Sequence, residues 1–132
     1  MSNELLLKLG GIFHLICALF HIVFPRMFNW DENLSELSGE KNIIIQPNLH
    51  IMNLSLLLLW LIFAVVPFFF PSELLTTSIG KTILFSILVF WIIRIVVLQP
   101  ILAGIKTKES WQQIIFFSVG VIFFIVPCLS VV

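Results

Sequence analysis

The stretch LLLKLGGIFHLICALFHIVF, residues 5–24, decides the fold. Its only formally charged residue is Lys8, and at about 1.5 Å per residue a helix of this length reaches across a hydrocarbon core about 30 Å thick. It is longer than the apolar part of a signal peptide. Pro25 and Arg26 follow Phe24 where a small-residue cleavage site would stand, so the segment reads as a retained span. Working outward, three further windows have the same character: Leu49 to Phe70, Ile79 to Leu102, and Trp111 to Val131. All four runs are continuously apolar. That excludes the alternating strands of a β-barrel, and lipid offers backbone groups no partner except within a helix. The expectation is an all-α, polytopic integral membrane protein, a four-transmembrane-helix bundle forming a single domain over residues 1–132.

Composition agrees. Of 132 residues 60% are apolar and 11% charged, and the mean hydropathy of +1.14 is that of a chain solvated by lipid. Seven Lys and Arg balance seven Asp and Glu, which removes the basic footprint that nucleic-acid binding requires. The expected partners are therefore the bilayer itself and a second membrane protein or another copy of the chain. Cys17 and Cys128 have no C-x-x-C spacing, so neither a disulfide framework nor a zinc knuckle is indicated. No H-E-x-x-H, G-x-S-x-G, P-loop or G-x-G-x-x-G occurs, and no carboxylate lies mid-span to build a di-iron bundle. Whether the chain catalyses anything stays open at this level.

Prolines punctuate the spans. Pro67, Pro100 and Pro127 fall in the last few residues of theirs, and Pro47 stands where the first turn of the second helix is expected to begin. Gly104 with Lys106 and Lys108 predicts a tight turn before Trp111. The one long connection, Pro25 to Gln46, carries Asp31, Glu32, Glu36 and Glu40 opposite Met27, Trp30, Leu34 and Leu37. This spacing predicts a short amphipathic helix lying over one end of the bundle, opened by an Asn29–Glu32 capping box and ended at Gly39. Four crossings put both termini on one side. Arg26, Lys41, Lys106 and Lys108 beside the first and third connections, against Lys8 and Lys81 at the other end, lean those connections toward the cytoplasm of a bacterial inner membrane.

Ionisable groups inside hydrocarbon are costly and each needs a reason. All three histidines, His14, His21 and His50, fall within the predicted spans. His14 and His21, seven residues apart, share a helix face about 10.5 Å apart along the axis, with Cys17 between them and Gly10, Gly11 and Ala18 flanking. Antiparallel packing of the first two helices brings His21 and His50 to similar depth. Gln46 and Asn53 share the His50 face. Arg94 arrives at the same level from the third helix, and Gln112 and Gln113 from the fourth. Gln99, about 140° from Arg94 around an ideal α-helix, is expected to face the interface.

These residues supply the pieces of two different functions. Imidazole and thiolate are common ligands of copper and zinc, so His14, Cys17, His21 and His50 form a candidate metal set, with Met52, Glu32 or Glu36 as auxiliaries. Bis-histidine haem b between the first two helices, with Arg94 pairing a propionate and Asn53 and Gln113 lining the cofactor, uses the same groups. The leading expectation is thus an intramembrane, histidine-centred site for a transition-metal ion or haem. The alternatives are a non-catalytic membrane subunit whose polar core only specifies helix packing and partner docking, and a membrane enzyme that binds a lipid or quinone headgroup through Arg94.

Overall fold

The computed structural model describes residues 2–35, 40–103 and 108–131, and every element among them is helical. Helix α1 is Asn3–Met27, α2 Trp30–Ser35, α3 Glu40–Phe69, α4 Pro71–Thr76, and α5 Ser78–Ile93, which continues as a π-helical segment, Arg94–Ala103. Helix α6 is Lys108–Ser130. Four stretches are long and apolar enough to cross a membrane: Asn3–Met27, Ile43–Phe69, Ser78–Ile101 and Ser110–Ser130. The chain is an all-α four-helix bundle with the character of a multi-pass membrane protein. Its surface bears this out, since Ile16, Ile62, Val96 and Ile115 are all more than half exposed, an arrangement that only an apolar solvent stabilises.

Helix α1 is the central element. It packs along α3 and α6, and α5 packs on α6, whereas the backbones of α3 and α5 hardly approach one another. The bundle is therefore built around α1, and α3 and α5 meet through the rings of Trp60, Phe63, Phe90 and Trp91 rather than backbone to backbone. Gly11 permits the tight α1–α3 contact: a Cβ there would lie 2.7 Å from the Ala64 carbonyl oxygen and 2.9 Å from Phe68 Cβ. On the other flank a Cβ on Gly120 of α6 would meet the Trp91 indole at 2.7 Å. The ends of α1 and α6 meet, with Asn3 Nδ2 donating to Ser130 Oγ at 2.7 Å.

Three local expectations are corrected. Helix α3 begins seven residues before Pro47 and runs through it. A proline removes one hydrogen bond, and a long apolar helix absorbs that loss rather than starting at it. Asn29 does not open α2 with a capping box. It adopts φ 45° directly after α1, the left-handed conformation that asparagine tolerates at a helix end. Its N–H returns to the Arg26 carbonyl at 3.2 Å, while its own carbonyl receives the Asn33 N–H at 2.9 Å. Gln99 is fully buried rather than at the interface, because the helix beyond Ile93 is π and not α. The Glu36, Leu37 and Gly39 part of the amphipathic segment and the Gly104–Lys106 turn lie outside the described residues.

Candidate functional site

His14 occupies the centre of the bundle and has no exposed surface. Trp91 Nε1–H of α5 donates to its Nε2 at 2.9 Å. An indole nitrogen can only donate, so Nε2 carries the lone pair and Nδ1 the proton. That proton goes to the Phe63 carbonyl of α3, 2.9 Å away. The two bonded rings are only 9° from parallel. Trp60 and Phe124 lie 5.6 and 5.1 Å from the imidazole centroid. One side chain from α1 thereby ties three helices together.

The carbonyl that His14 meets has a particular history. Pro67 stands four residues after Phe63 and has no N–H, so the helix cannot supply Phe63 with its usual donor. A free carbonyl in hydrocarbon costs several kcal/mol on the order of an unsatisfied polar group, and His14 removes that cost. The same relation recurs one helical repeat along α1. Pro25 strips the His21 carbonyl of its donor, and Asn53 Nδ2 of α3 donates to it at 2.9 Å. Asn53 Oδ1 in turn accepts from His21 Nδ1–H at 2.8 Å. Two prolines on facing helices are repaired by polar side chains from the opposite helix.

Toward the α2 end the polar groups loosen. His50 Nε2 is 3.7 Å from Asp31 Oδ1, and Gln46 Nε2 donates to the same oxygen at 3.2 Å. Asp31 is 88% exposed, so this contact is solvated and weak. His21 and His50 are connected by a succession of rings, His21 to Phe24 at 5.9 Å, Phe24 to Trp30 at 5.5 Å and Trp30 to His50 at 5.5 Å. Trp30 thus seats α2 over the ends of α1 and α3.

The remaining polar residues join the π segment to α6. The Arg94 guanidinium lies 4.8 Å from the centroid of the Phe117 ring, and Gln99 Nε2 donates to Gln113 Oε1 at 2.7 Å. In a π-helix hydrogen bonds link residues five apart, so Arg94 and Gln99 come onto one face, where α geometry would separate them. Gln99 Oε1 is buried without a partner among the described residues, as is Trp60 Nε1.

The expected site residues therefore fall into three separate sets rather than one pocket. His14 binds Trp91 and Phe63; His21 binds Asn53, with His50 one turn away beside Asp31; Arg94 and Gln113 belong to the π segment and α6. Cys17 is packed in the hydrophobic core. Both ring nitrogens of His14 and the Nδ1 of His21 are engaged, which leaves His14 no lone pair for a metal ion. Among the described residues no group of three or more His, Cys, Asp or Glu could hold one. Sequence reasoning missed Phe63 and Trp91 and misplaced Gln99, although the four-residue offset from a proline marks the Phe63 and His21 carbonyls in advance. Comparison of the chain with protein-family models, with curated proteins and with solved structures finds no match.

Proposed function

We propose that the chain is a non-catalytic membrane subunit whose interior histidines and asparagine serve as packing keys for proline-broken helices. The observation that carries this reading is the pairing of each key with a proline: His14 with the carbonyl freed by Pro67, and Asn53 with the carbonyl freed by Pro25. A ligand-binding imidazole keeps a lone pair turned to a cavity, whereas the one on His14 accepts the Trp91 N–H. The α-helical spans and the excess of Lys and Arg beside the first and third connections support a bacterial inner membrane with those connections cytoplasmic. The meeting of Asn3 with Ser130 supports termini on one side.

A double-mutant cycle tests the reading. His14→Leu is expected to cost about 1–3 kcal/mol more in the native background than beside Pro67→Ala, because restoring an N–H at position 67 gives the Phe63 carbonyl its own helical donor. Equal costs in both backgrounds, measured by unfolding in detergent, would sink it. Elemental analysis and a visible spectrum of the purified chain decide between this reading and the metal or haem alternative. Stoichiometric metal or a Soret band that disappears in both His21→Ala and His50→Ala would replace packing by ligand binding.

A further inference from the structure

Beyond Ile93 the third span has two helical registers open to it. In an ideal α-helix residues seven apart lie within about 20° of one another. Leu84 and Trp91 are seven apart and have no exposed surface, so an α-helix carried on from them would seat Leu98 in the next buried position. The same rule would place Gln99 in line with Ile92, which is 42% exposed, on the outside of the bundle. The segment Arg94–Ala103 is π-helical instead, and there Gln99 takes the buried seat while Leu98 is only half-buried. The apolar pattern and the observed helix thus disagree by one residue.

The π register carries a cost that the α register lacks. Gln99 Nε2 donates to Gln113 Oε1 at 2.7 Å, but Gln99 Oε1 is buried without a partner among the described residues. A bare buried acceptor costs at least as much as one neutral hydrogen bond returns. In the α register a leucine would fill the seat, and Gln99, two residues before the span ends at Ile101, would reach water. Gln113 is exposed on α6, so its amide would keep solvent as a partner. What holds the π register is the Gln99–Gln113 bond. Two helical forms of one segment that differ by so small a balance make a bistable element, and π turns inside α-helices concentrate where function uses them.

We propose that Arg94–Ala103 is a conformational switch, alternating between the observed π form and an α form in which Leu98 replaces Gln99 against α6, with Gln113 as the catch. The pivot stays in place. The Trp91 ring lies 5.5 Å and the Arg94 guanidinium 4.8 Å from the centre of the Phe117 ring on α6, and the bond from Trp91 to His14 precedes the segment that turns. The change therefore leaves the histidine packing untouched. It swings Gln99 from the Arg94 face to a position about 140° away and releases the Gln113 amide.

Relaxation-dispersion NMR of the isotope-labelled full chain in detergent micelles tests the switch, because it reads exchange on the μs–ms scale of helix register shifts. Exchange is expected at the backbone amides of Ile95 to Gln99 and at the Gln99 side-chain amide, and not in the first turns of α5 or at the Trp91 indole. No exchange in the segment, or equal exchange along the whole of α5, would overturn the proposal. So would a minor form whose Cα shifts are those of unfolded chain, since that is fraying and not a change of register. Gln113→Leu strips Gln99 of its bond and is expected to raise the minor form about tenfold; an unchanged population removes Gln113 as the catch and the proposal with it. Gln99→Leu puts an apolar side chain in the buried seat of the π form and is expected to abolish the exchange. Exchange as large as in the native chain counts against the switch. Should Gln113→Leu not fold, the native chain and Gln99→Leu still decide.

Discussion

Trp60 and Trp91 stack on each other at 5.1 Å and are equally deep, yet their indole N–H groups have opposite fates. That of Trp91 is accepted by His14, whereas that of Trp60 is buried without a partner among the described residues. The same substitution should therefore have different effects at the two positions. Trp91→Phe removes a made hydrogen bond and strands His14 Nε2. Trp60→Phe removes an unmade one and loses the same volume. Trp91→Phe is expected to be the more destabilising by about 1–3 kcal/mol, as read from unfolding midpoints in detergent. Indistinguishable midpoints would mean that the His14–Trp91 bond contributes nothing net. At this scale the sequence told that intramembrane histidines need a reason. It did not tell which indole reaches His14, because that depends on how far α5 is rotated against α1.

Elements show the same division. The four spans were legible because about 20 apolar residues in succession have one stable solution in lipid. Their ends were less so, since a helix continues through Pro47 when its neighbours keep hydrogen bonding. The π segment was illegible. One extra residue per turn changes the azimuth of everything beyond Ile93, and nothing in the apolar pattern RIVVLQPILA records it. Gln99 is consequently buried, and the π turn rather than the residue type put it against Gln113. Helix–helix contact gives a sharper prediction. A Cβ on Gly11 meets backbone of α3, the Ala64 oxygen at 2.7 Å, whereas on Gly10 it meets the far end of the Phe124 ring, also at 2.7 Å. A ring edge can move and a helix backbone cannot without shifting the whole α1–α3 interface. Gly11→Ala is thus expected to lower the unfolding midpoint more than Gly10→Ala, and the reverse order would mean that α3 slides freely over α1.

At the scale of the molecule, the arrangement places Ser2 and Ser130 at one end and Ser35 at the other. In sealed vesicles an impermeant thiol reagent should modify Ser2→Cys and Ser130→Cys from the same side and Ser35→Cys from the opposite one, the native Cys17 and Cys128 being buried. Labelling of positions 2 and 130 from opposite faces would rule out an even number of crossings. The whole-molecule view also separates the polar residues that sequence spacing had gathered at one level. A shared level along the bundle does not make neighbours, and α1 stands between the partners of α3 and those of α6.

The chain's composition and its four apolar runs were enough to determine the helical class and the number of helices long and apolar enough to cross a membrane, because those follow from hydrocarbon thickness and the lack of any hydrogen-bonding partner in lipid. Prolines at fixed offsets even marked which carbonyls would be left bare. Only the tertiary structure decided that His14 and Asn53 answer them and that Arg94 faces the Phe117 ring. Each of these depends on the rotation and separation of helices, and those are set by side chains meeting across the bundle rather than by any periodicity along it.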